Sequence, residues 1–183
     1  IAEGEVLQLT ETNNLNLTYE NYMKIIHGKT AVLFAAACET GAILAEADRD
    51  QIAAMKNYGN FLGISFQLVD DYLDYTGSSK KMGKNIGDDF HNGKITHPLI
   101  KTLEQCSNDE KLFFKRTITQ QIQTQTDLQK ALNIMSKYNS LESTKNSAIF
   151  WAKKAKDSLK ILPANEVRQA LINLADYTVS RTL

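Results

Sequence analysis

Three aspartates inside an apolar stretch of the chain are the residues best suited to chemistry. Asp70, Asp71 and Asp74 fall within residues 61–75, FLGISFQLVDDYLDY. The apolar spacing predicts a helix, on which Asp70 and Asp74 are neighbours one turn apart. Gln67 lies one turn earlier on the same side. Like charges at this spacing repel, and burial increases the penalty, so we expect a cation beside them.

Two simpler interpretations of the acidic cluster need no metal. In the first, the aspartates cap a helix N-terminus, but they lie well inside the apolar stretch rather than at its start. In the second, they form a solvated acidic face, but their neighbours are leucine, valine and tyrosine. No alternation of acids around a central glycine indicates a calcium loop. Carboxylates on a rigid helix, without nearby His or Cys, favour Mg²⁺ shared with a phosphate group.

A connection rich in glycine and lysine, residues 77–94, directly follows the acidic helix. Its sequence, GSSKKMGKNIGDDFHNGK, is longer than most connections in compact domains. One interpretation is a lid whose lysines contact a phosphate group, while Mg²⁺ held by the acids neutralises that group from the other side. The alternative is an exposed linker whose lysines provide solubility. The position beside three acids favours the lid.

Length and charge restrict the possible classes of function. The 183 residues suffice for one large helical domain or part of one. The 21 basic and 21 acidic side chains balance, so no overall field favours nucleic acid or an anionic membrane. Cys38 and Cys106 lack disulfide or zinc-site spacing, which fits a reducing cytoplasm. The longest apolar run, residues 31–38, is far shorter than the roughly 20 residues of a transmembrane helix.

The remaining sequence predicts helices without strand-like alternation, so the expected class is all-α. Residues 1–9 predict the end of a helix already under way, and the absence of an initial Met suggests processing or a missing N-terminal part. The next helix, residues 18–46, is apolar on nearly every side from Thr30 to Ala45. Further helices are expected at residues 48–77, 140–162 and 164–181. Capping boxes are predicted at three pairs: Asp48 with Gln51, Ser107 with Glu110, and Thr126 with Gln129.

Five short motifs follow one another in a distinctive order. They are GEVLQ from Gly4, KTA from Lys29, GISFQLVDDYLD from Gly63, GKNIGDD from Gly83 and GKITHP from Gly93. Together they resemble the trans-polyprenyl diphosphate synthases over the full chain, with the octaprenyl-forming bacterial enzymes as the nearest group. The resemblance implies an isoprenoid-synthase-like bundle of helices around a deep central cavity, usually in a homodimer. It also implies an activity that joins isopentenyl diphosphate to an allylic diphosphate.

The resemblance implies roles for individual residues. The three aspartates match the family's second aspartate-rich motif, which holds catalytic Mg²⁺ against the allylic diphosphate. Lys29 matches a catalytic lysine that contacts that diphosphate, and Gln67 matches a glutamine near the allylic substrate. Lys84 and Lys94 match lysines that approach the bound diphosphate. The metal ligands expected from the resemblance are therefore Asp70, Asp71 and Asp74.

The family's first aspartate-rich motif is missing from the sequence. No Asp-Asp-x-x-Asp precedes the one that begins at Asp70, so half of the metal site is absent. We therefore expect residues 1–183 to be the C-terminal portion of a single synthase domain without its N-terminal helices. Alone it should be inactive and should pair with itself or with the missing part. His97 replaces the family's usual Leu before Pro98, which changes packing or adds a titratable group, and packing is favoured.

Two classes of function remain open. The first is the catalytic enzyme, which makes a long-chain polyprenyl diphosphate of the kind used for quinone side chains. The second is a non-catalytic helical partner subunit of such an enzyme. Lys29, Lys94 and the acids favour the enzyme, because a purely structural subunit has no need for charges that repel each other in a core. A third possibility, a Mg²⁺-dependent terpene cyclase, conflicts with the lysine-rich segment and the elongation motifs. An octaprenyl product rests on likeness alone.

Overall fold

The structure is a computed structural model that describes residues 1–77 and 86–181. Every regular element in these ranges is helical, as the sequence predicted. Nowhere in them does a helix have the length and apolar character required to cross a membrane. The α-helices are α1 (Ala2–Thr10), α2 (Tyr19–Ile26), α3 (Val32–Leu44), α4 (Arg49–Thr76), α5 (Asp88–His91), α6 (His97–Leu103), α7 (Asn108–Phe114), α8 (Asp127–Lys137), α9 (Ser140–Ser158) and α10 (Glu166–Ser180).

The long helix that carries the aspartates, α4, is confirmed together with its predicted start. The Gln51 N–H donates to Asp48 Oδ1 at 2.8 Å, and the Asp48 N–H donates to Gln51 Oε1 at 3.4 Å. The capping box of Ser107 and Glu110 at the start of α7 is also present. These boxes satisfy backbone donors that a helix N-terminus leaves without partners, so local sequence determines where both helices begin.

The predicted box at Thr126 and Gln129 is wrong. Thr126 makes no side-chain capping bond, because its backbone is already helical with φ −94° and ψ −7°. Asp127 supplies the acceptor instead, and its Oδ2 receives the Thr124 N–H at 2.7 Å. The Arg116 guanidinium also donates to both Asp127 oxygens, at 2.7 and 3.0 Å. An ion pair with a residue eleven positions away therefore fixes the start of α8.

The predicted helix over residues 18–46 is continuous but not uniform. A π-helical turn at His27–Ala31 separates α2 from α3. A second π-helical turn, Lys115–Thr119, follows α7, and a 3₁₀ turn at Leu159–Ile161 follows α9. The sequence did not predict these turns, and it did not predict α5 or α6 either, because short elements give little periodic signal.

The chain divides into two compact units, and the first comprises Ile1–Glu5, Lys24–Val69 and Lys145–Leu183. The Tyr58 hydroxyl on α4 donates to the Leu171 carbonyl on α10 at 2.8 Å, and the Ser65 hydroxyl donates to Ala148 on α9 at 2.8 Å. These bonds tie α4 to both C-terminal helices. The buried centre of this unit consists of Tyr58, Leu62, Ala155, Leu159 and Ala175.

Two glycines allow α4 to approach the preceding helix closely within this unit. A Cβ added at Gly59 would lie 2.6 Å from the Phe34 carbonyl carbon, and one at Gly63 would lie 2.6 Å from Ala31 Cα. Both neighbours are backbone atoms, which move only if the helix moves. The two glycines are one helical turn apart, so together they determine the spacing between α4 and α3.

Helix α3 is apolar on most sides, as predicted, but the described residues cover only part of it. Ala35 and Ala42 are buried. Leu33, Ile43 and Leu44 are instead 55%, 54% and 79% exposed. Part of this apolar helix is therefore exposed in the described residues. Exposed large apolar side chains on one helix are candidates for an interaction site.

The second unit comprises Val6–Met23 and Asp70–Thr144. Its aspartates come from the last two turns of α4. Tyr22 of α2 and the residues that lead into α6 lie against this end of the helix. The interior of the unit consists of fully buried side chains, namely Phe90, Leu99, Phe114, Ile118 and Met135.

Candidate metal and diphosphate site

Asp71 is the most deeply buried acid of the predicted cluster. It is 2% exposed, whereas Asp70 and Asp74 are partly exposed. Asp71 Oδ2 accepts hydrogen bonds from the Tyr22 hydroxyl at 2.5 Å and from the His97 backbone N–H at 3.2 Å. The prediction that these acids lie in or beside a core is therefore confirmed, and protein donors hold Asp71 in place.

Tyr22 is a neutral donor in this arrangement. Burial raises its pKa well above the usual range, and the charge of the Asp71 carboxylate raises it further. The hydroxyl therefore keeps its proton, and the negative charge stays on Asp71. The sequence analysis missed Tyr22, because 49 residues separate it from Asp71 and no spacing rule connects them. The one available signal was a tyrosine on the amphipathic helix α2.

Asp74 lies near the end of α4, beside the turn that begins α5. Its Oδ2 accepts the Asp89 backbone N–H at 3.1 Å, and its carbonyl oxygen accepts the Gly87 N–H at 2.8 Å. Gly87 has φ +79°, a conformation that suits glycine. Burial, followed by the charge of the Asp89 carboxylate, raises the pKa of Asp74 to about 7. A bound cation would offset both effects, so the environment of Asp74 favours cation binding.

Lys94 lies beside the same turn. Its N–H donates to the Asp89 carbonyl at 2.9 Å, and its Nζ is 3.5 Å from Asp89 Oδ1. The preceding Gly93 has φ +67°, and its carbonyl accepts the Asn13 N–H at 2.8 Å. The Lys94 side chain is 40% exposed. It is therefore anchored at its backbone while its ammonium group remains accessible from solution.

His97 is completely buried and packs against the Tyr19 ring, with 5.8 Å between ring centres. Its Nδ1 is 2.7 Å from Thr144 Oγ1, and the same hydroxyl donates to the Ser140 carbonyl at 2.8 Å. Because the hydroxyl proton is used there, Nδ1 must carry the proton of the His97–Thr144 bond. Burial, and then the charge of Lys101, lowers the pKa of His97 to about 4. His97 is thus a neutral packing residue, as the favoured interpretation held.

Lys29 and Gln67 belong to the first unit. Lys29 is in the π-helical turn His27–Ala31, and the hydroxyl of the next residue, Thr30, donates to Gln67 Oε1 at 3.1 Å. The structure therefore places Gln67 against the immediate neighbour of Lys29. π-Helical turns are frequent at functional sites, and this turn coincides with the Lys29 motif of the sequence.

Lys84 and residues 78–85 of the predicted lid lie outside the described residues. The described end of that segment, residues 86–94, contains α5 and the buried Phe90. The assignment of Lys84 to diphosphate binding and the interpretation of residues 77–94 as a lid both stay predictions.

The three predicted metal ligands do not form a metal cluster in the part of the chain that the structure describes. Within residues 1–77 and 86–181, no three His, Cys, Asp or Glu side chains are arranged to hold a metal ion. The assignment of Asp70, Asp71 and Asp74 as ligands therefore stays a prediction. The oxygen donors themselves suit Mg²⁺, which usually takes one or two protein carboxylates and completes its shell with water and substrate phosphate.

An apolar cavity of about 580 Å³ lies within the first unit. Small residues of α3, such as Gly41 and Ala42, form one wall, and Met55 and Leu171 form others. Arg168 also belongs to the lining. The volume falls within the range of ligand-binding cavities.

Comparison with known sequences identifies relatives along nearly the whole chain. A family model for polyprenyl synthetases matches residues 1–135. The octaprenyl diphosphate synthases of Haemophilus influenzae and Escherichia coli are 40% and 41% identical to this chain over 181 residues, which is 99% of its length. Those residues make up 55% and 56% of the two enzymes. The chain thus spans about half the length of the curated relatives it matches.

Solved structures share the fold. A decaprenyl diphosphate synthase from Rhodobacter capsulatus matches with a TM-score of 0.94 and 47% identity, covering 100% of the chain and 56% of the solved one. A polyprenyl synthase from Caulobacter crescentus, complexed with calcium and isoprenyl diphosphate, matches with a TM-score of 0.94, 44% identity and the same coverage. The predicted all-α, isoprenoid-synthase-like class is confirmed. The chain belongs to the polyprenyl synthetase family.

Proposed function

We propose that the chain is part of a prenyltransferase that condenses isopentenyl diphosphate with an allylic diphosphate into a long-chain all-trans polyprenyl diphosphate. The main supporting observation is the environment of Asp74, where burial and the Asp89 carboxylate raise the pKa to about 7, while the partly exposed Lys94 has its Nζ 3.5 Å from that Asp89 carboxylate. Such a site attracts a cation and a phosphate together. The names of the H. influenzae and E. coli relatives support a long-chain product, and an octaprenyl product is inferred from them.

Mg²⁺ is the proposed metal, with Asp70 and Asp74 as its carboxylate ligands; the resemblance also counts Asp71 as a ligand. Bound Mg²⁺ would stabilise the negative charge that develops on the departing diphosphate. That residues 1–77 and 86–181 contain no preformed three-carboxylate cluster is compatible with this role, because substrate phosphate oxygens ordinarily complete a Mg²⁺ shell. The Caulobacter structure with calcium and isoprenyl diphosphate supports a divalent cation in this family.

Substrate contacts are proposed for four residues, Lys29, Gln67, Lys84 and Lys94. Lysine pairs with phosphate as a point charge, so Lys94 would hold the diphosphate while the allylic carbon–oxygen bond breaks. The resulting allylic cation would form a carbon–carbon bond with isopentenyl diphosphate and then lose a proton.

The chain alone is proposed to be inactive. It contains one aspartate-rich motif, and stabilisation of the departing diphosphate is expected to require a second. The exposed side chains of Leu33, Ile43 and Leu44 also need a covering surface. We propose that a second copy of the chain or the N-terminal part of the enzyme supplies it, within a homodimer.

A condensation assay tests this proposal. Isopentenyl and farnesyl diphosphates are incubated with Mg²⁺ and the chain, first alone and then with the N-terminal half of a related synthase added in cis or in trans. We expect no turnover by the chain alone and turnover after the addition. Robust turnover by the chain alone would contradict the proposed inactivity. No turnover in either condition would favour the alternative, a non-catalytic helical partner subunit.

A further inference from the structure

The buried carboxylate of Asp71 joins three helical elements of the second unit. Its Oδ2 accepts the hydroxyl of Tyr22 on α2 at 2.5 Å and the N–H of His97 at the start of α6 at 3.2 Å, while Asp71 itself belongs to α4. Both donors are buried, with Tyr22 at 2% and His97 at 0% exposure. Because two buried donors share this one carboxylate oxygen, the oxygen helps to hold α2, α4 and the start of α6 together.

A second set of contacts holds the imidazole ring of His97. Its protonated Nδ1 donates to Thr144 Oγ1 at 2.7 Å, and Thr144 donates to Ser140 at 2.8 Å, within α9. The rings of Tyr19 and Tyr22 lie 5.8 and 5.9 Å from the imidazole. His97 is therefore fixed by its backbone to Asp71, by its ring nitrogen to Thr144 and by ring contacts to two tyrosines.

The segment that these contacts fix carries Lys94. Thr96 is extended, with φ −101° and ψ 173°, so the chain runs from Lys94 to His97 without a turn. At its other end, Lys94 is bound through its N–H to the Asp89 carbonyl at 2.9 Å. Loss of the Asp71 contact would release the His97 end of this short segment, and the Lys94 ammonium group would lose its fixed position.

We propose that Asp71 is a positioning residue rather than a metal ligand, and that with Tyr22 it fixes the Lys94–His97 segment so that Lys94 reaches the diphosphate. The proposal rests on the proposed function for the identity of the ligand. It departs from the role that the resemblance gives Asp71. Both donors bind the same oxygen, so a metal ion bound at Oδ2 would displace them and leave a buried hydroxyl and a buried N–H without partners. Asp70 and Asp74 remain as the proposed metal ligands.

Substitutions at Asp71 separate the two roles. Asparagine keeps an oxygen that can accept both hydrogen bonds but is a neutral and poor Mg²⁺ ligand, whereas alanine removes the acceptor altogether. We expect D71N to bind pyrophosphate with Mg²⁺ within about threefold of wild type, and D71A to bind it about tenfold or more weakly. Calorimetry with pyrophosphate and Mg²⁺ measures both. Equal and large losses in D71N and D71A would overturn the proposal in favour of a metal ligand.

Tyr22 and Tyr19 provide a matched pair of variants for a second binding experiment. Y22F removes the hydroxyl that donates to Asp71 and keeps the ring. Y19F removes a hydroxyl that has no hydrogen bond within the described ranges, from a ring that packs on the same imidazole. We expect Y22F to weaken pyrophosphate binding about threefold or more and Y19F to leave it unchanged. Identical behaviour of the two variants would overturn the proposal.

Amide hydrogen exchange without ligand distinguishes failure of this proposal from failure of the proposed function. The His97 N–H should exchange faster in D71A and Y22F than in wild type, with D71N and Y19F near wild type. Unchanged exchange in D71A would overturn the positioning role alone. No pyrophosphate binding by the wild-type chain would overturn the proposed function and, with it, the role of Lys94. If D71A fails to fold, the milder pair Y22F and Y19F decides both readouts.

Discussion

The glycine at position 59 provides a direct test of how α4 packs in the first unit. Gly59→Ala places a Cβ 2.6 Å from the Phe34 carbonyl carbon and 2.8 Å from Ala35 Cα. Ordinary carbon contacts are longer than this by about 1 Å. The obstructing atoms belong to a helix backbone, so no single side-chain rotation relieves the overlap.

The expected magnitude comes from two opposing effects. Over-packing a tight interior costs about 1–3 kcal/mol, and a contact with backbone belongs at the upper end. Replacing a glycine by alanine within a helix returns about 1 kcal/mol of helix propensity. The net loss for G59A should therefore be about 2 kcal/mol. Gly41 in α3 is the matched control, because no atom of the described residues lies within 4 Å of its added Cβ and only the propensity gain applies.

Urea unfolding followed by tryptophan fluorescence measures the difference. The single tryptophan, Trp151, packs against Phe61 in the same unit, with 5.5 Å between ring centres, so it reports on the unit that contains Gly59. With a slope of about 2 kcal/mol per molar urea, a difference of about 3 kcal/mol between G59A and G41A separates their midpoints by about 1.5 M. Equal midpoints, or a higher midpoint for G59A, would refute the close approach of α4 to α3.

Three further predictions concern other contacts. Tyr58→Phe removes the hydrogen bond to Leu171 and should lower the free energy of unfolding by about 1 kcal/mol in the same urea assay, with no change in secondary structure by circular dichroism. Hydrogen bonding from Arg116 lowers the pKa of Asp127 to about 2, below its unfolded value, so this pair stabilises the fold above pH 4 and the stabilisation is lost as the pH falls toward 2. The urea midpoint of D127N should therefore change less than that of wild type between pH 5 and pH 2, and an equal change would contradict the pairing. Leu44→Lys places a charge on the exposed face of α3 and should reduce self-association in sedimentation velocity, whereas unchanged association would exclude that face from the interface.

Features governed by local sequence were predictable. The apolar periodicity around Asp70 predicted α4. Two of the three predicted capping boxes were correct, and at both of them the bonds join residues only three positions apart. The third prediction was wrong at Thr126, which makes no capping bond. Near the start of α8 the acceptor is instead the carboxylate of Asp127, which is paired with Arg116. The burial of Asp71 was predictable as well, since its apolar neighbours leave no solvated face.

Contacts between distant positions were not predictable from one sequence. Tyr22 donates to Asp71 across 49 residues, and the Asp89 backbone N–H binds Asp74 across fifteen. No periodic pattern encodes either pair, because tertiary packing brings the residues together. The sequence therefore identified the acidic cluster but gave all three aspartates the same role, whereas the structure distinguishes the deeply buried Asp71 from its partly exposed neighbours.

Calorimetric titration of pyrophosphate into the chain, with and without Mg²⁺, is the most direct test of the central claim. The double variant D70N/D74N is compared with wild type, and Asp109→Asn, an exposed acid at the start of α7, is the control. Because its environment raises the pKa of Asp74 to about 7, neutralising this residue removes an unfavourable charge and should not unfold the chain. We predict Mg²⁺-dependent binding by wild type and D109N, and none by D70N/D74N. Binding that persists without Mg²⁺, or that D70N/D74N retains, would contradict a metal and diphosphate site at these aspartates.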